Sequence, residues 1–366
     1  MDIKTLLKSS VAAGALVALA APMQTAEAGG ISNGNSKMDL KVGGRVVRGL
    51  AYADDGDNSA LFHTAGRSAD TEFYFSASGK LTESVSVGAL HRIDVNETGN
   101  DFRFDDRETT TSTGADAVKY SKVHFAHKSL GTLHVGHWEQ AGDGANNLKY
   151  GGAIVGSPGL LQGTIVHRAA GAATSVVAGS QVSNLDQGRG NLVRYDSPSF
   201  SGFTVSAHTG DDGDWGTAVR YSGKLAGLSV KAAYAFNSDT ANVANNKTWG
   251  GSIAVMHSSG LHVNFGKASR RGNDTGLKPE FMRIAGGYEA KLNSMGKTNF
   301  YVQWFDGDDV ATAGRSSTQL NVGVHQGLDS IGGTIGLVYS TTETDDLTAN
   351  NYEDVDVIYM ETVVNF

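Results

Sequence analysis

Many segments of the chain alternate between apolar residues and polar or small ones. In one of them, Leu228, Val230, Ala232, Tyr234 and Phe236 fall on one face, and Ser229, Lys231, Ala233 and Ala235 fall on the other. The same alternation recurs at 282–290, 319–325 and 331–339. Successive side chains of a β-strand point to opposite faces, so each segment is predicted to be a strand with one apolar face.

The number and spacing of these segments along the chain predict sixteen strands. They begin near residues 38, 69, 83, 116, 131, 191, 203, 215, 228, 246, 261, 280, 298, 315, 330 and 351. The connections alternate in length, with short ones at 222–228, 257–261 and 326–330 and long ones at 53–68, 96–115, 237–246 and 341–351. An even number of antiparallel strands closes into a barrel, and about sixteen strands leave an aqueous lumen.

A soluble β-sandwich would also alternate, but other features favour a barrel in a membrane. Aromatic residues such as Trp249 and Tyr288 lie near the ends of apolar faces, as in the girdles that flank a lipid-facing band. Short turns at one end and long loops at the other are typical of such barrels. The chain also ends in Phe366, with Ile358, Met360, Thr362 and Val364 on the same face, which resembles the terminal strand of outer-membrane barrels.

Composition excludes several classes of protein. The 366 residues include 48 glycines, 4 prolines and no cysteine, which rules out a disulfide scaffold and a cysteine-ligated metal site. The formal net charge of -8 argues against nucleic acid as a partner. No apolar run reaches the roughly 18 residues of a spanning helix, so a chain that crosses a membrane would do so as an all-β barrel.

Residues 1–28 resemble a secretory signal peptide rather than an amphipathic first helix. Lys4 and Lys8 precede the apolar stretch 11–21, and Ala26-Glu27-Ala28 supplies small residues for cleavage. The mature protein is therefore expected to begin near Gly29 and to form one domain over 29–366. Its expected destination is the bacterial outer membrane.

One predicted connection differs from the others. Residues 139–190 form a loop of about fifty residues, a length that is usually functional or disordered. Its apolar residues, among them Leu160, Leu161 and Ile165, are too many for a solvated tail. We expect this third loop to pack inside the lumen and constrict it; an extra outer domain or hairpin is the alternative.

Three stretches resemble the general diffusion porins of bacterial outer membranes. Residues 191–203, with Arg194-Tyr195-Asp196-Ser197-Pro198, resemble the segment that follows the constriction loop of these porins, and 131–137 and 40–45 resemble the strand entering that loop and the first strand. The resemblance implies a trimeric sixteen-stranded barrel whose third loop forms an eyelet, where acidic loop residues face a basic wall.

Carried over by position, the resemblance matches Arg45 to the basic wall residue of the first strand and places Arg194 and Asp196 in the segment after the loop. Two positions depart from the family pattern. His137 and Glu72 stand where the family usually has arginine.

Alternation assigns charged side chains to the lumen, because Lys or Arg facing lipid at the midplane costs about 2 to 4 kcal/mol. The lumenal bases include Lys41, Arg220, Lys231, Arg283 and Lys291, with Glu289 and Glu361 among the acids. The predicted constriction combines basic Arg45, Arg92, Lys122 and Arg194 with acidic Glu72, Glu139, Asp143 and Asp196. Opposed charges across a narrow opening would orient polar solutes and disfavour apolar ones.

No cofactor is predicted. Asp54, Asp55 and Asp57 offer oxygens that Ca²⁺ prefers, although a solvated loop is the preferred interpretation because the full calcium-loop pattern is missing. The predicted function is passive diffusion of small hydrophilic solutes, with outer-membrane lipid, lipopolysaccharide and two further copies of the chain as partners. A substrate-specific channel, a barrel adhesin and an outer-membrane hydrolase remain as alternatives, the last without a Gly-x-Ser-x-Gly or His-Glu-x-x-His motif.

Overall fold

The computed structural model describes residues 37–95, 117–152, 157–211, 213–239, 246–272, 277–346 and 351–366. In that part of the chain, seventeen strands form one closed antiparallel sheet and two short strands form a separate hairpin. The described residues include no helix with the length and apolar character needed to cross a bilayer. The expected signal peptide and its cleavage site lie outside the described residues.

The strands before the long loop are β1 (Asp39–Asp54), β2 (Ser59–Ala65), β3 (Glu72–Lys80), β4 (Val85–Asp94), β5 (Ala117–His127) and β6 (Gly131–Glu139). The loop contains the hairpin β7 (Val166–Ala169) and β8 (Ala172–Val177). The sheet then continues through β9 (Arg189–Asp196), β10 (Phe203–Gly210), β11 (Trp215–Leu225), β12 (Leu228–Asp239), β13 (Asn246–Met256) and β14 (Leu261–Arg271). It ends with β15 (Glu280–Ala290), β16 (Thr298–Asp308), β17 (Arg315–Leu328), β18 (Gly333–Asp346) and β19 (Val355–Asn365).

The predicted barrel of sixteen strands is confirmed. Although the sheet has seventeen strands, β2 and β3 lie end to end beside β1 and together occupy the place of one strand. β2 pairs with the second half of β1, from Arg48 to Asp54, and β3 pairs with its first half, from Asp39 to Arg45. The long connection predicted at 53–68 is therefore wrong, since only 55–58 separate β1 from β2. Ala60 and Phe62 point inward while Leu61 and His63 point outward, so apolar side chains occur on both faces of β2 and the alternation that identifies a strand is weak.

Other predicted loops are shorter than expected. β12 continues to Asp239 and β18 to Asp346, so the polar residues that suggested long connections at 237–246 and 341–351 partly extend the strands. The short turns also shrink, because β11 reaches Leu225 and β17 reaches Leu328. The predicted loop 96–115 lies outside the described residues.

The barrel closes where the first strand meets the last. β1 pairs antiparallel with β19 from Arg45 opposite Asn365 to Asp54 opposite Asp356. At the end of the seam, the Gly44 and Phe366 backbones exchange hydrogen bonds of 2.9 and 3.0 Å. The Phe366 ring packs edge-on against Phe73, with 5.6 Å between centroids. The terminal phenylalanine thus belongs to the closing contact.

The two faces of the wall differ as alternation predicted. Val302 and Val322 are 49% and 44% exposed on the outside, whereas Gln303 and Asn321 are 2% and 0% exposed on the inside. Apolar side chains outside and polar ones inside are the pattern of a transmembrane barrel. Aromatic pairs such as Trp215–Phe236 lie on the outer face, with centroids 5.3 Å apart.

The chain leaves the sheet between β6 and β9, which pair directly with each other, and the described loop residues, 140–152 and 157–188, lie against the inner face of the wall. Leu161 and Ile165 are almost fully buried in a cluster with the lumenal side chains of Val338 and Tyr359. Burying a side chain of this kind stabilises the contact by about 1.5 to 3 kcal/mol. The apolar residues of the loop are therefore covered by the barrel interior.

An ion pair joins this loop to the turn between β1 and β2. The Arg168 Nε atom donates to Asp55 Oδ2 at 2.8 Å, and its guanidinium lies 3.6 Å from Asp57. Asp55 is 1% exposed and Arg168 7%. The Glu353 backbone N–H also donates to the Arg168 carbonyl at 2.8 Å, so the hairpin is fixed to two connections at one end of the barrel.

Replacing Arg168 tests how firmly this contact holds the loop. Arg168→Met leaves the Asp55 carboxylate buried without its cation, which we expect to destabilise the folded loop by about 3 kcal/mol. The measurement is the midpoint of thermal unfolding in detergent, followed by circular dichroism. Asp57→Asn is the matched control, because the Asp57 side chain is 54% exposed and its loss should change the midpoint little. Equal midpoints for Arg168→Met and the unmodified protein would contradict a stabilising role.

Candidate functional site in the lumen

A buried glutamate organises one end of the charged wall. Glu72, at the start of β3, is 2% exposed. Its carboxylate lies 3.1 Å from the Arg45 guanidinium, 3.4 Å from Arg92 and 3.3 Å from Lys119. We expected Glu72 to face the opening as an acidic residue, whereas the structure encloses it among three cations. Its charge is therefore neutralised within the wall.

Lys119 reaches this cluster because of a β-bulge. The register of β4 and β5 shifts between Arg92 and Ile93, so that Arg92 is opposite Tyr120 and Ile93 is opposite Val118. The extra residue, Lys119, points to the same side as Tyr120, and its ammonium also lies 3.2 Å from Asp94. Sequence reasoning missed Lys119, because strict alternation with Lys122 assigns it to the outer face.

A second cluster surrounds Asp196 on β9. The Arg194 Nε atom donates to Asp196 Oδ1 at 2.9 Å, and His134 Nε2 lies 3.1 Å from Asp196 Oδ2. Lys122 donates to His134 Nδ1 at 3.0 Å, and its ammonium also lies 3.0 Å from the centroid of the Trp138 ring. Each cation here is held by a carboxylate, an imidazole or an aromatic face.

Tyr120 connects the two clusters. The Arg92 guanidinium lies 5.2 Å from the centre of its ring, which packs on Trp138 with 4.6 Å between centroids. The Tyr120 hydroxyl donates to Glu139 Oε1 at 2.7 Å. The four predicted basic residues therefore lie on one continuous band that crosses β1, β4, β5 and β9. We call this the cationic band: Arg45, Arg92, Lys119, Lys122 and Arg194.

Arg194 of the cationic band and Arg220 on β11 anchor the beginning of the loop. The Arg194 Nη1 atom donates to the Glu139 and Gln140 carbonyls at 3.2 and 3.1 Å. The Arg220 Nη2 atom donates to the Asp143 carbonyl at 2.8 Å. Both arginines hold the loop through its backbone, so the side chains of Glu139 and Asp143 are not consumed by these contacts.

The acidic residues of the loop come together near its two ends. Asp186 Oδ2 accepts a hydrogen bond from the Gly144 N–H at 3.0 Å, which brings Asp186 beside Asp143. Burial raises the pKa of Asp186 to about 7. Burial, together with the charges of Glu139 and Asp186, also raises the pKa of Asp143 well above its ordinary value. Near neutral pH the loop therefore carries less negative charge than its carboxyl groups suggest.

The remaining predicted residues have other positions. His137 points outward with Leu133 and Val135, and its Nδ1 atom lies 3.1 Å from Asn191 Oδ1. At the calcium candidate Asp54, Asp55 and Asp57, the Asp55 carboxylate already has several donors of the protein itself. Its carboxylate accepts hydrogen bonds from Arg168 and from the Asp57 and Asn58 backbone. No group of three or more acidic or histidine side chains suited to a metal occurs within the described residues.

A closed barrel with a charged lumen and an internal loop agrees with the comparison of the sequence with protein families. Residues 9–347 match the model of the Gram-negative porins. The chain belongs to the Gram-negative porin family. It is therefore a multi-pass β-barrel of the bacterial outer membrane and forms a channel there. No curated protein matches the sequence of this porin closely enough to be informative.

Solved structures share the fold of this porin at low sequence identity. A loop-deletion form of the outer-membrane protein OmpT of Vibrio cholerae has 13% identity and a TM-score of 0.61, over 90% of this chain and 100% of its own. The anion-selective porin from Comamonas acidovorans has 12% identity and a TM-score of 0.59, over 90% and 100%. OmpF of Salmonella typhi, in a complex with daunomycin, has 10% identity and a TM-score of 0.58, over 90% and 98%.

Neutralising two members of the cationic band tests its electrostatic role. In Arg45→Gln/Arg194→Gln, Glu72 and Asp196 each lose a positive charge that neutralises them, so the lumen becomes more negative. We expect the cation-to-anion permeability ratio to rise roughly twofold, measured from reversal potentials in a salt gradient across a planar bilayer. Lys128→Gln, in an exposed turn, is the control and should leave the ratio unchanged. An unchanged reversal potential in the folded double variant would refute the assignment.

Proposed function

We propose that this porin is a passive, non-enzymatic channel for small hydrophilic solutes and ions, narrowed by residues 140–188. The observation that carries the proposal is how these residues contact the wall. The Leu148 N–H donates to Ser252 Oγ at 2.9 Å, the Tyr150 N–H to Asn264 Oδ1 at 3.0 Å, and the Gly159 N–H to Gln319 Oε1 at 2.8 Å. The loop thus follows β13, β14 and β17, whereas the cationic band lies on β1, β4, β5 and β9.

The charges support a selective effect on polar solutes. Glu139 at the end of β6 and Asp143 and Asp186 of the loop lie beside Arg194 and Arg220. The charges that remain on these groups produce a field in the lumen, which favours solutes with a dipole. An apolar solute would lose water without gaining an equivalent contact, so it should pass more slowly.

The alternative functions have less support. A substrate-specific channel needs a series of aromatic rings along the loop, and Tyr150 is the single aromatic residue of 139–190. A hydrolase needs a base with a free nitrogen near a nucleophile. His208 is buried, but its Nδ1 atom accepts from the Ala141 N–H at 3.0 Å and its Nε2 atom lies 3.4 Å from Asp214. Both ring nitrogens are therefore engaged.

Conductance and solute uptake test the diffusion channel together. The purified protein is expected to produce stepwise, ohmic current increases in a planar bilayer, and liposomes that contain it should swell in small sugars faster than in larger ones. An open aqueous lumen gives both results, because flux then depends on size rather than on a binding site. An electrically silent folded barrel would overturn the proposal and favour an adhesin. Uptake that saturates for one sugar alone would favour a substrate-specific channel.

We also propose that three copies of the chain associate, with lipid and lipopolysaccharide covering the rest of the outer surface. Arg48 supports this, since it lies in the middle of β1 on the outer face, between Val46 and Leu50, which are about 40% exposed. His63 on β2 points outward opposite Leu50. A polar outer face at this point of the wall favours contact with a second copy over lipid, because polar and charged side chains are unfavourable in hydrocarbon.

The mass of the particle in detergent tests this association. Multi-angle light scattering should give three protein chains for the unmodified porin and one for Arg48→Glu, because three copies would bring the new carboxylates to the same contact. The control is Lys267→Glu, an exposed outward-facing change on β14, far from β1 in the sheet order. A single chain per particle in the unmodified porin would contradict the proposal.

A further inference from the structure

A second group of cations lies in the lumen away from the cationic band. The loop residues Lys149, Tyr150, Gly151 and Gly152 pass close to β12, β14, β16 and β17. The Tyr150 N–H donates to Asn264 Oδ1 at 3.0 Å, and the Gly152 carbonyl accepts from Asn299 Nδ2 at 2.5 Å. These bonds fix the loop backbone at both ends of this short stretch.

Glycine is required where the stretch meets the wall. A Cβ atom on Gly152 would come within 2.2 Å of His325 Nδ1, and one on Gly151 within 2.5 Å of His262 Nε2. Gly151 also has a φ of +73°, which L-residues rarely adopt. The close approach brings the preceding residue pair, Lys149 and Tyr150, against the wall beside Lys231.

Lys231 lies against the loop at Lys149 and Tyr150, and the carboxylate that attracts it electrostatically is Glu289. The Lys231 Nζ atom lies 3.4 Å from the Lys149 carbonyl and 4.5 Å from the centre of the Tyr150 ring. Neither lysine forms an ion pair with a carboxylate in the part of the chain that the structure describes. Glu289, an acid of the neighbouring wall, is paired with Lys297 at 2.7 Å.

Arg283 adds a third positive charge. Its guanidinium donates to Asn147 Oδ1 on the loop, two residues before Lys149. Burial, and after it the positive charges of Arg283 and Lys231, lower the pKa of Lys149 to about 8. Three positively charged side chains therefore lie near one another at this point of the lumen.

The contrast with the cationic band decides what this group can bind. Arg45 and Arg194 are each paired with a carboxylate, whereas the Lys231 ammonium has the Lys149 carbonyl and the Tyr150 ring as its neighbours. Lys149, Tyr150 and Lys231 are each partly exposed. Ammonium groups bind phosphate and carboxylate oxygens through short, charge-assisted hydrogen bonds.

We propose that Lys149, Lys231 and Tyr150 form a binding site for small oxyanions in the lumen of this porin. The two ammonium groups supply charge and donors, and the Tyr150 ring holds the Lys231 ammonium in position. The site deepens the proposed function: inorganic phosphate and small carboxylates would be retained on their passage, whereas neutral solutes would not.

Binding is tested without relying on conduction. Inorganic phosphate is added to the detergent-solubilised porin, and broadening of its ³¹P resonance is measured. We expect Lys149→Gln/Lys231→Gln to raise the half-saturating phosphate concentration about tenfold. Lys149→Arg/Lys231→Arg should keep most of the binding, because both charges remain. Lys128→Gln/Lys224→Gln, which removes two exposed lysines, should match the unmodified protein. Circular dichroism confirms that each variant is folded.

The outcomes separate the two proposals. Equal phosphate binding by the glutamine variant and the unmodified porin would overturn the oxyanion site, whatever the channel conducts. Phosphate binding that depends on the two lysines, in a protein that gives no conductance, would preserve the site and overturn the diffusion channel. In a conducting porin, phosphate should also reduce the chloride current, and about ten times more should be needed in the glutamine variant.

Discussion

Backbone hydrogen bonding in a medium without water is the constraint on which the structure depends. An exposed strand edge in hydrocarbon would leave a row of N–H and C=O groups unsatisfied, and each would cost several kcal/mol. Pairing β1 with β19 removes both edges. Once the sheet is closed, alternation assigns every second side chain to the interior. A sheet of sixteen strands then encloses a space too wide for wall side chains to fill, and residues 140–188 occupy part of it.

This constraint explains why so much of the wall could be predicted from the sequence. The strands predicted to begin at 203, 215, 228, 261, 280, 298 and 315 begin there in the structure. The interruption between β2 and β3 had no local signal. It depends on Glu361, whose Oε2 atom accepts hydrogen bonds from the Arg67 and Ser68 N–H groups at 2.7 and 3.0 Å. A contact between residues almost 300 positions apart cannot be inferred from the alternation of a seven-residue segment.

The candidate site, too, could be predicted from the sequence only in part. Alternation placed Arg45, Arg92, Lys122 and Arg194 inside the barrel, where the structure has them. It could not show that Glu72 is enclosed by three cations, because those partners come from three different strands and depend on register. Nor could it find Lys119, since a bulge adds a residue without a signature in the alternating pattern. Periodicity therefore predicts the side of the wall for a charge, and register decides the partner that neutralises it.

Partners determine how a lumenal charge acts on a passing ion. A cation held by a carboxylate, as Arg194 is by Asp196, contributes mainly a fixed dipole, and its side chain has little freedom to follow a solute. Such pairs give a static field, which orients solutes without retaining them. A lysine whose neighbours are a carbonyl and a ring keeps donors that can exchange water for a solute oxygen. We therefore expect the local pairing of lumenal cations, rather than the net charge of -8, to decide how the wall acts on a passing solute.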